Sequence, residues 1–319
     1  MSFEFAYLIF SHANVLQLQR LVHAIRKSSP NSAIVLHHDP SGEPLNPSEF
    51  TAMKNVFFIA HPVAVRWADI TQVHALLHGL EWATSRLDFR WISIISGQDY
   101  PLRSLMLAEQ ELRETEFDAF VEANPIKASD WSMFTRYYFQ YWKLPRFRHH
   151  YKAPAFLRNY LQTLRQLINR SRSPVRIEGG IRNTPMQLGV RTLAHPFSAS
   201  FACYKGSDWF TLSRKAVNYV QEFTRKNPDY LRYFQRTYIA SEAYIQTILW
   251  NSPQLKIANN NRRFILWDAN HSSHPITLAH KHLGKMTASG KDFGRKFDPK
   301  LDNRVLDELD QIITNPASD

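Results

Sequence analysis

The chain has 319 residues, of which 44% are hydrophobic and 13% aromatic, a composition typical of a folded globular protein. A single cysteine, Cys203, excludes an intramolecular disulfide framework, and no run approaches the ~18 apolar residues that a membrane-spanning helix needs. The net charge of +11 is unevenly distributed, because residues 131–177 contain ten Lys and Arg residues and no Asp or Glu.

Apolar strands alternate with amphipathic helices through the first part of the chain. The apolar runs predict strands at residues 5–10, 33–36, 56–59, 91–95 and 119–121. Helical spacing of apolar residues predicts helices at 15–27 and 69–87. The segment 5–10 is interpreted as a core strand and not as a signal peptide, since no basic region precedes it. This alternation predicts an α/β fold with a mostly parallel central sheet flanked by helices.

Polar residues follow three of these strands at the points where the strands end. Ser11 and His12 follow the first strand, Asp39 follows the second, and Gln98 and Asp99 follow the fourth. Ligands of open α/β sheets bind at the carboxyl ends of the strands, so these residues predict a pocket. The chain has no Gly-x-Gly-x-x-Gly and no Walker loop, which argues against a classical dinucleotide enzyme or a P-loop ATPase.

The basic segment 131–177 is also aromatic and lies within an irregular stretch, 124–200, that we interpret as an insertion over the sheet. Three ligand classes fit such a segment: an anionic acceptor or membrane headgroups, nucleic acid, and the diphosphate of a donor. A solvated pair of basic helices with aromatic residues packed beneath the charges fits equally well. No recognisable nucleic-acid module accompanies the segment, so we expect no nucleic-acid partner.

A candidate general base lies in the last third of the chain. Residues 209–213 predict a strand, a helix follows from Arg214, and a second helix is predicted to open at Ser241 as its N-cap. Glu242 would then lie in the first turn, in line with the apolar stripe that faces inward. A carboxylate entering on a buried face is what a general base requires. The alternative is a surface glutamate that only satisfies the helix dipole.

Four blocks of sequence occur in the order that one enzyme family shows. They read YLIFSHANVLQLQRLVHAI with VLHHDP, then WISIISGQDYPLRS, then GSDWFTLSRKAVNYV with ASEAYIQTILWNSP and NNNRRFILWD, and finally FGRKFD. On these blocks the chain resembles glycosyltransferase family 14, which contains core-2/I-branching β-1,6-N-acetylglucosaminyltransferases, peptide O-xylosyltransferases and plant glucuronosyltransferase relatives. The stretch between 124 and 200 does not match clearly.

The resemblance implies a GT-A-like fold and an inverting, metal-independent transfer of xylose or N-acetylglucosamine from a UDP-sugar to a hydroxyl of a glycan or glycoconjugate acceptor. It places Glu242 where the family has its catalytic base. It places Lys296 where the family has a basic residue that contacts the donor diphosphate, with Arg295 beside it.

The resemblance also assigns residues around the donor, and the chemistry of two further side chains suggests contacts to the acceptor. Asp99 aligns with the acid of the family's strand-four motif near the nucleotide, and Ser11, His12 and Asp39 would line the same pocket. Asp208 and Trp209 are candidates for acceptor contact, and Trp209 would stack on a pyranose ring unless it packs in the core.

Metal independence has a physical counterpart in the sequence. Most GT-A enzymes neutralise the nucleoside diphosphate with a metal held by Asp-x-Asp, and this chain contains no Asp-x-Asp. Another positive charge must act there, and Arg295 with Lys296 is the candidate; an ordinary charged turn is the alternative. No His-Glu-x-x-His motif or paired cysteine occurs, so we expect no metal and no cofactor beyond the UDP-sugar co-substrate.

We expect a single glycosyltransferase domain over 1–319, with a nucleotide-binding α/β half (1–123), the basic aromatic insertion (124–200) and a catalytic and acceptor half (201–319). The family's animal members carry a membrane anchor and several disulfides, and neither is seen here. We therefore expect a bacterial-type soluble member that is cytoplasmic, with a peripheral contact at the inner membrane face through 131–177 as one option. The alternative function is a non-catalytic protein on the same fold that binds glycans or membrane surfaces.

Overall fold

The computed structural model describes residues 1–144, 163, 165–169, 172–179, 185–268 and 275–314. The strands in chain order are β1 (Ser2–Ser11), β2 (Ala33–His38), β3 (Val56–Phe58), β4 (Asp88–Ser96), β5 (Asp99–Pro101), β6 (Ala119–Phe120), β7 (Ala123–Pro125), β8 (Phe139–Lys143), β9 (Val175–Glu178), β10 (Gln187–Arg191), β11 (Tyr204–Gly206), β12 (Phe210–Ser213), β13 (Ile257–Ala258), β14 (Arg263–Ile265) and β15 (Phe293–Arg295). The helices are α1 (Val15–Ser28), α2 (Thr71–Arg86), α3 (Leu105–Glu114), α4 (Trp131–Tyr137), α5 (Arg214–Lys226), α6 (Pro228–Phe234), α7 (Tyr244–Trp250), α8 (Leu283–Thr287) and α9 (Arg304–Thr314).

A seven-stranded sheet forms the centre of the fold, in the order β13-β6-β12-β4-β1-β2-β3. Neighbouring strands run parallel except at β12, which pairs antiparallel with both β4 and β6. Strand β1 lies near the middle, and its Leu8 and Ile9 are fully buried on opposite faces. A parallel strand covered on both faces is expected to be a continuous apolar run, as this one is. The predicted mostly parallel α/β sheet is confirmed.

Helices cover both faces of the sheet and complete two apolar cores. On one face α2, α5 and α7 contribute buried residues such as Leu80, Val217 and Ile248. On the other face α1 and α9 contribute residues such as Leu21 and Leu309. The cores fix the strand ends at one edge of the sheet, where the predicted polar residues lie.

The insertion 124–200 contains secondary structure of its own. Strands β8, β10 and β9 form a small antiparallel sheet, and α4 precedes it. The basic segment is described only at 131–144, 163, 165–169 and 172–177, and the remainder of that prediction lies outside the described residues. None of the helices in the described ranges has the length and apolar character that crossing a membrane would require.

Candidate functional site

A large cleft of about 1610 Å³ opens at the carboxyl edge of the central sheet. Typical small-molecule pockets measure roughly 300–1,000 Å³, so this cleft is larger than one small ligand requires. It is lined by most of the residues selected from the sequence: Ser11, His12, Asp39, Asp208, Trp209, Glu242, Arg295 and Lys296. The topology therefore brings together residues that are far apart in the chain.

One end of the cleft is built by loops that are hydrogen-bonded to each other. The Ser11 hydroxyl lies 2.8 Å from Nδ1 of His38. The buried Asp39 carboxylate accepts from the backbone N–H of Ser41 at 2.8 Å and from that of Val65 at 3.0 Å. These bonds hold the loops after β1 and β2 in place without a ligand, as expected of a preformed pocket.

Asp99 lies behind the cleft wall and does not line it. Its side chain is fully buried, and its carboxylate accepts from Ser96 and from the Arg295 guanidinium, the latter at 2.8 Å. Arg295 also donates to the Ser96 hydroxyl and lies 4.6 Å from the centre of the Trp209 ring. The placement of Asp99 near the nucleotide stays a prediction, and in the structure this carboxylate binds Arg295 from beneath the cleft wall. One face of Trp209 is in turn occupied by the guanidinium.

The helix predicted to open at Ser241 does not begin there. Residues Ala240–Glu242 form a single 3₁₀ turn, and α7 begins at Tyr244 with no side-chain cap. The Ser241 hydroxyl lies 3.5 Å from Oε1 of Gln72 and does not cap the helix. The physical reason is the residue before the turn, Ile239, whose left-handed backbone (φ 56°, ψ 56°) redirects the chain.

Glu242 projects from this turn into the cleft with its side chain 25% exposed. Its Oε2 accepts from Nη1 of Arg136 at 3.1 Å and lies 3.5 Å from Nζ of Lys205. Neither cation was selected from the sequence. Arg136 lies in the basic segment 131–177, for which the sequence leaves three ligand classes and a solvated pair of helices open. Lys205 belongs to none of the sequence motifs used to select site residues.

Asp208 is the second carboxylate beside Glu242. The residue is half-buried as a whole, but its Oδ1 is enclosed and has no hydrogen-bond partner among the described residues. Burial, followed by the negative charge of Glu242, raises the pKa of Asp208 to about 7. Arg295 and Lys205 act on it in the opposite direction. Asp208 therefore lies within electrostatic reach of both the candidate base and the candidate diphosphate contact.

Replacing Asp208 by asparagine should change how stability depends on pH. Because its pKa is raised from 3.8 to about 7, the folded protein keeps a proton between those values that the unfolded chain has released. Stability of the wild type should therefore fall across this window as the pH rises, relative to the variant. Melting temperatures of both proteins at pH 4.5, 6 and 8 measure the difference, at roughly 1–2 °C per kcal/mol for a chain of this length. A difference that stays constant with pH contradicts the assignment.

Two other features of the described residues bear on the chemistry. Cys203 is buried, and burial raises the pKa of its thiol, as is typical of an unreactive core cysteine. Within the described ranges, no group of three or more His, Cys, Asp and Glu side chains is arranged to hold a metal ion.

Comparison with known proteins finds relatives of this chain that are named as sugar-transferring enzymes. A beta-glucuronosyltransferase of Arabidopsis thaliana, GlcAT14A, is 24% identical over 300 residues, which are 92% of this chain and 58% of that protein. A beta-1,3-galactosyl-O-glycosyl-glycoprotein beta-1,6-N-acetylglucosaminyltransferase 4 of Danio rerio is 22% identical over 98% of this chain and 70% of its own length. Xylosyltransferase 1 of Mus musculus is 26% identical over 34% of this chain and 13% of its own length.

The chain thus spans little more than half of the Arabidopsis relative. The model of one family, described as Core-2/I-Branching enzyme, matches residues 5–289, a range that includes the first three of the four sequence blocks. The chain therefore belongs to the Core-2/I-Branching enzyme family.

Proposed function

We propose that the protein transfers a sugar from a UDP-sugar to a hydroxyl of a glycan or glycoconjugate acceptor, with inversion and without a metal, using Glu242 as the general base. The observation that carries the proposal is that one cleft is lined by the Glu242 carboxylate and by the cations Arg295 and Lys296. Asp208 lies in the same cleft, within electrostatic reach of both Glu242 and Arg295. A base for the acceptor and a positive charge for the leaving group are what the reaction needs.

The base would act on the acceptor. Glu242 takes the proton of the acceptor hydroxyl while the oxygen forms a bond to the anomeric carbon of the donor. The bond from that carbon to the diphosphate oxygen breaks on the opposite face, and its electron pair leaves with UDP. Attack opposite the leaving group inverts the anomeric configuration, so one well-placed carboxylate is sufficient.

The cationic pair Arg295 and Lys296 would act on the leaving group. The UDP that departs carries roughly two negative charges, and fixed cations in a cleft stabilise such developing charge. Arg295 is already held in place by the buried Asp99 carboxylate and the Trp209 ring, so little reorganisation is needed. The absence of Asp-x-Asp from the sequence supports assigning this role to protein cations.

The donor sugar is proposed as xylose or N-acetylglucosamine. The names of the relatives cover glucuronosyl, N-acetylglucosaminyl and xylosyl transfer, so the family accommodates several donors. The sequence block NNNRRFILWD is closer to the xylosyltransferase side of the family resemblance.

A donor panel tests the proposal. The purified protein is incubated with UDP-xylose, UDP-N-acetylglucosamine, UDP-glucuronic acid and UDP-glucose, with mixed glycan acceptors, and products are read by mass spectrometry. We expect UDP release and a mass gain of one sugar with the first or the second donor. The alternative function, a non-catalytic protein that binds glycans or membrane surfaces, predicts binding to glycans or anionic vesicles with no turnover of any donor.

A further inference from the structure

Helix α4 holds the turn that carries Glu242 at three points. The backbone N–H of Tyr238 donates to the carbonyl oxygen of Arg136 at 3.0 Å. The hydroxyl of Tyr137, a fully buried residue, donates to the carbonyl oxygen of Ile239 at 3.1 Å. The Arg136 guanidinium donates to Oε2 of Glu242 at 3.1 Å. Adjacent residues of one short helix therefore bind both the backbone and the carboxylate of the same turn.

The turn needs such support, because its backbone is unfavourable in isolation. Ile239 is β-branched, yet it adopts the left-handed conformation that side chains of this kind rarely enter. Residues in such conformations persist only when the surrounding structure over-determines them, and they cluster at functional sites. Here Tyr137 binds the carbonyl of Ile239, and the N–H of Ile239 reaches the carbonyl of Ala68 at 3.4 Å. Tyr137 is itself fixed by the Tyr233 hydroxyl, which donates to its carbonyl oxygen at 2.6 Å.

The two cations that face Glu242 contact the same carboxylate oxygen. Arg136 from α4 and Lys205 from β11 both lie against Oε2, and among the described residues none donates a hydrogen bond to Oε1. Arg136 makes the shorter contact, and its side chain is the less exposed of the two, 24% against 34%. A planar guanidinium also fixes the orientation of a carboxylate better than a flexible ammonium does.

We propose that Arg136 is a positioning residue for the base: held by α4, it pins Oε2 of Glu242 so that Oε1 points to the acceptor hydroxyl. The inference rests on the proposed function of Glu242. It also gives the first part of the insertion a role different from the predicted one. Helix α4 supports the catalytic turn, a role that is not among the alternatives that the sequence leaves open for the basic segment.

Kinetics of Arg136 variants test the inference. Arg136→Met should lower kcat at saturating donor and acceptor by about 10²-fold, as expected when a catalytic group is misplaced. The KM for the donor and the Kd for UDP should change by less than about threefold, because this side chain does not touch the predicted diphosphate contacts. Arg236→Met is the matched control, since Arg236 is exposed and stacks on Trp142 at 5.6 Å, and it should leave kcat unchanged.

Chemical rescue separates positioning from a merely structural role. Millimolar guanidinium should restore a measurable part of the kcat of Arg136→Ala and none of that of Glu242→Gln. If the methionine and alanine variants do not fold, Arg136→Lys decides the question. It keeps the charge but loses the planar donor, so a reduced kcat at unchanged donor KM is expected.

The inference is overturned if folded Arg136→Met has wild-type or higher kcat, or if guanidinium does not rescue Arg136→Ala. If neither of those variants folds, wild-type kcat in Arg136→Lys overturns it. Failure of the proposed function looks different, because then the wild type transfers no sugar or Glu242→Gln remains active. If the wild type transfers sugar, Glu242→Gln is inactive and Arg136→Met behaves as wild type, only the positioning role fails.

Discussion

Replacing Glu242 by glutamine should lower kcat for sugar transfer by at least about 10³-fold, near the upper part of the range that general-base catalysis contributes. Glutamine has the same size and can still reach the cleft from the 3₁₀ turn, but it cannot accept the acceptor's proton. Single-turnover assays with saturating donor measure the chemical step directly, and isothermal titration with UDP measures donor-site integrity. We expect UDP affinity to stay within about threefold of the wild type, because the predicted diphosphate contacts are untouched.

The matched control for this variant is Glu81→Gln on the exposed side of α2. It makes the same chemical change away from the cleft and should leave kcat unchanged. If Glu242→Gln retains more than about a tenth of wild-type turnover, Glu242 is not the base. A loss of UDP binding together with turnover would instead point to damage of the cleft, and circular dichroism with melting temperatures distinguishes that case.

Replacing Lys296 by methionine should have the second-largest effect, lowering kcat/KM for the donor by roughly 10²–10³-fold. The reason is electrostatic, because the departing diphosphate would lose one of the two cations proposed to neutralise it. Binding of UDP should weaken strongly, binding of UMP less, and binding of uridine hardly at all. The proposed interaction of Lys296 is with the phosphate charges, which decrease in that order. Titration calorimetry with the three ligands measures this gradient.

Lys285→Met, at an exposed position of α8, controls for the loss of one positive charge from the protein. Equal weakening of uridine and UDP would contradict a diphosphate contact at Lys296. Lys296 is a cleaner target than Arg295, because removing Arg295 also leaves the fully buried Asp99 carboxylate without its charged partner. An unpaired buried charge destabilises the fold and would obscure an effect on binding.

The central elements of the fold could be predicted because their signals are local and periodic. The helix predicted over 15–27 is observed at Val15–Ser28, and the strand predicted over 91–95 lies within Asp88–Ser96. The start of a helix at Ser241 was predicted wrongly, because the conformation there depends on contacts between residues that are distant in sequence. The left-handed backbone of Ile239 is maintained by Tyr137 and Ala68, which are distant in sequence, and an isoleucine carries no local signal for that conformation.

The same distinction explains which site residues the sequence could reveal. Ser11, His12 and Asp39 follow strands, so the topology of a parallel sheet places them in the cleft without further information. Arg136 approaches Glu242 from 106 residues away along the chain, and no spacing rule connects the two. Asp99 was assigned by resemblance to the donor pocket, but only the packed structure shows it beneath Arg295.

The anomeric configuration of the product tests the central claim most directly. The wild type is incubated in EDTA with its α-linked UDP-sugar donor and an acceptor glycan, and the new linkage is read from its anomeric proton by NMR. The mechanism based on Glu242, Arg295 and Lys296 predicts a β-linked product formed at an undiminished rate. An α-linked product, or transfer that appears only when manganese is added in excess of EDTA, would contradict it.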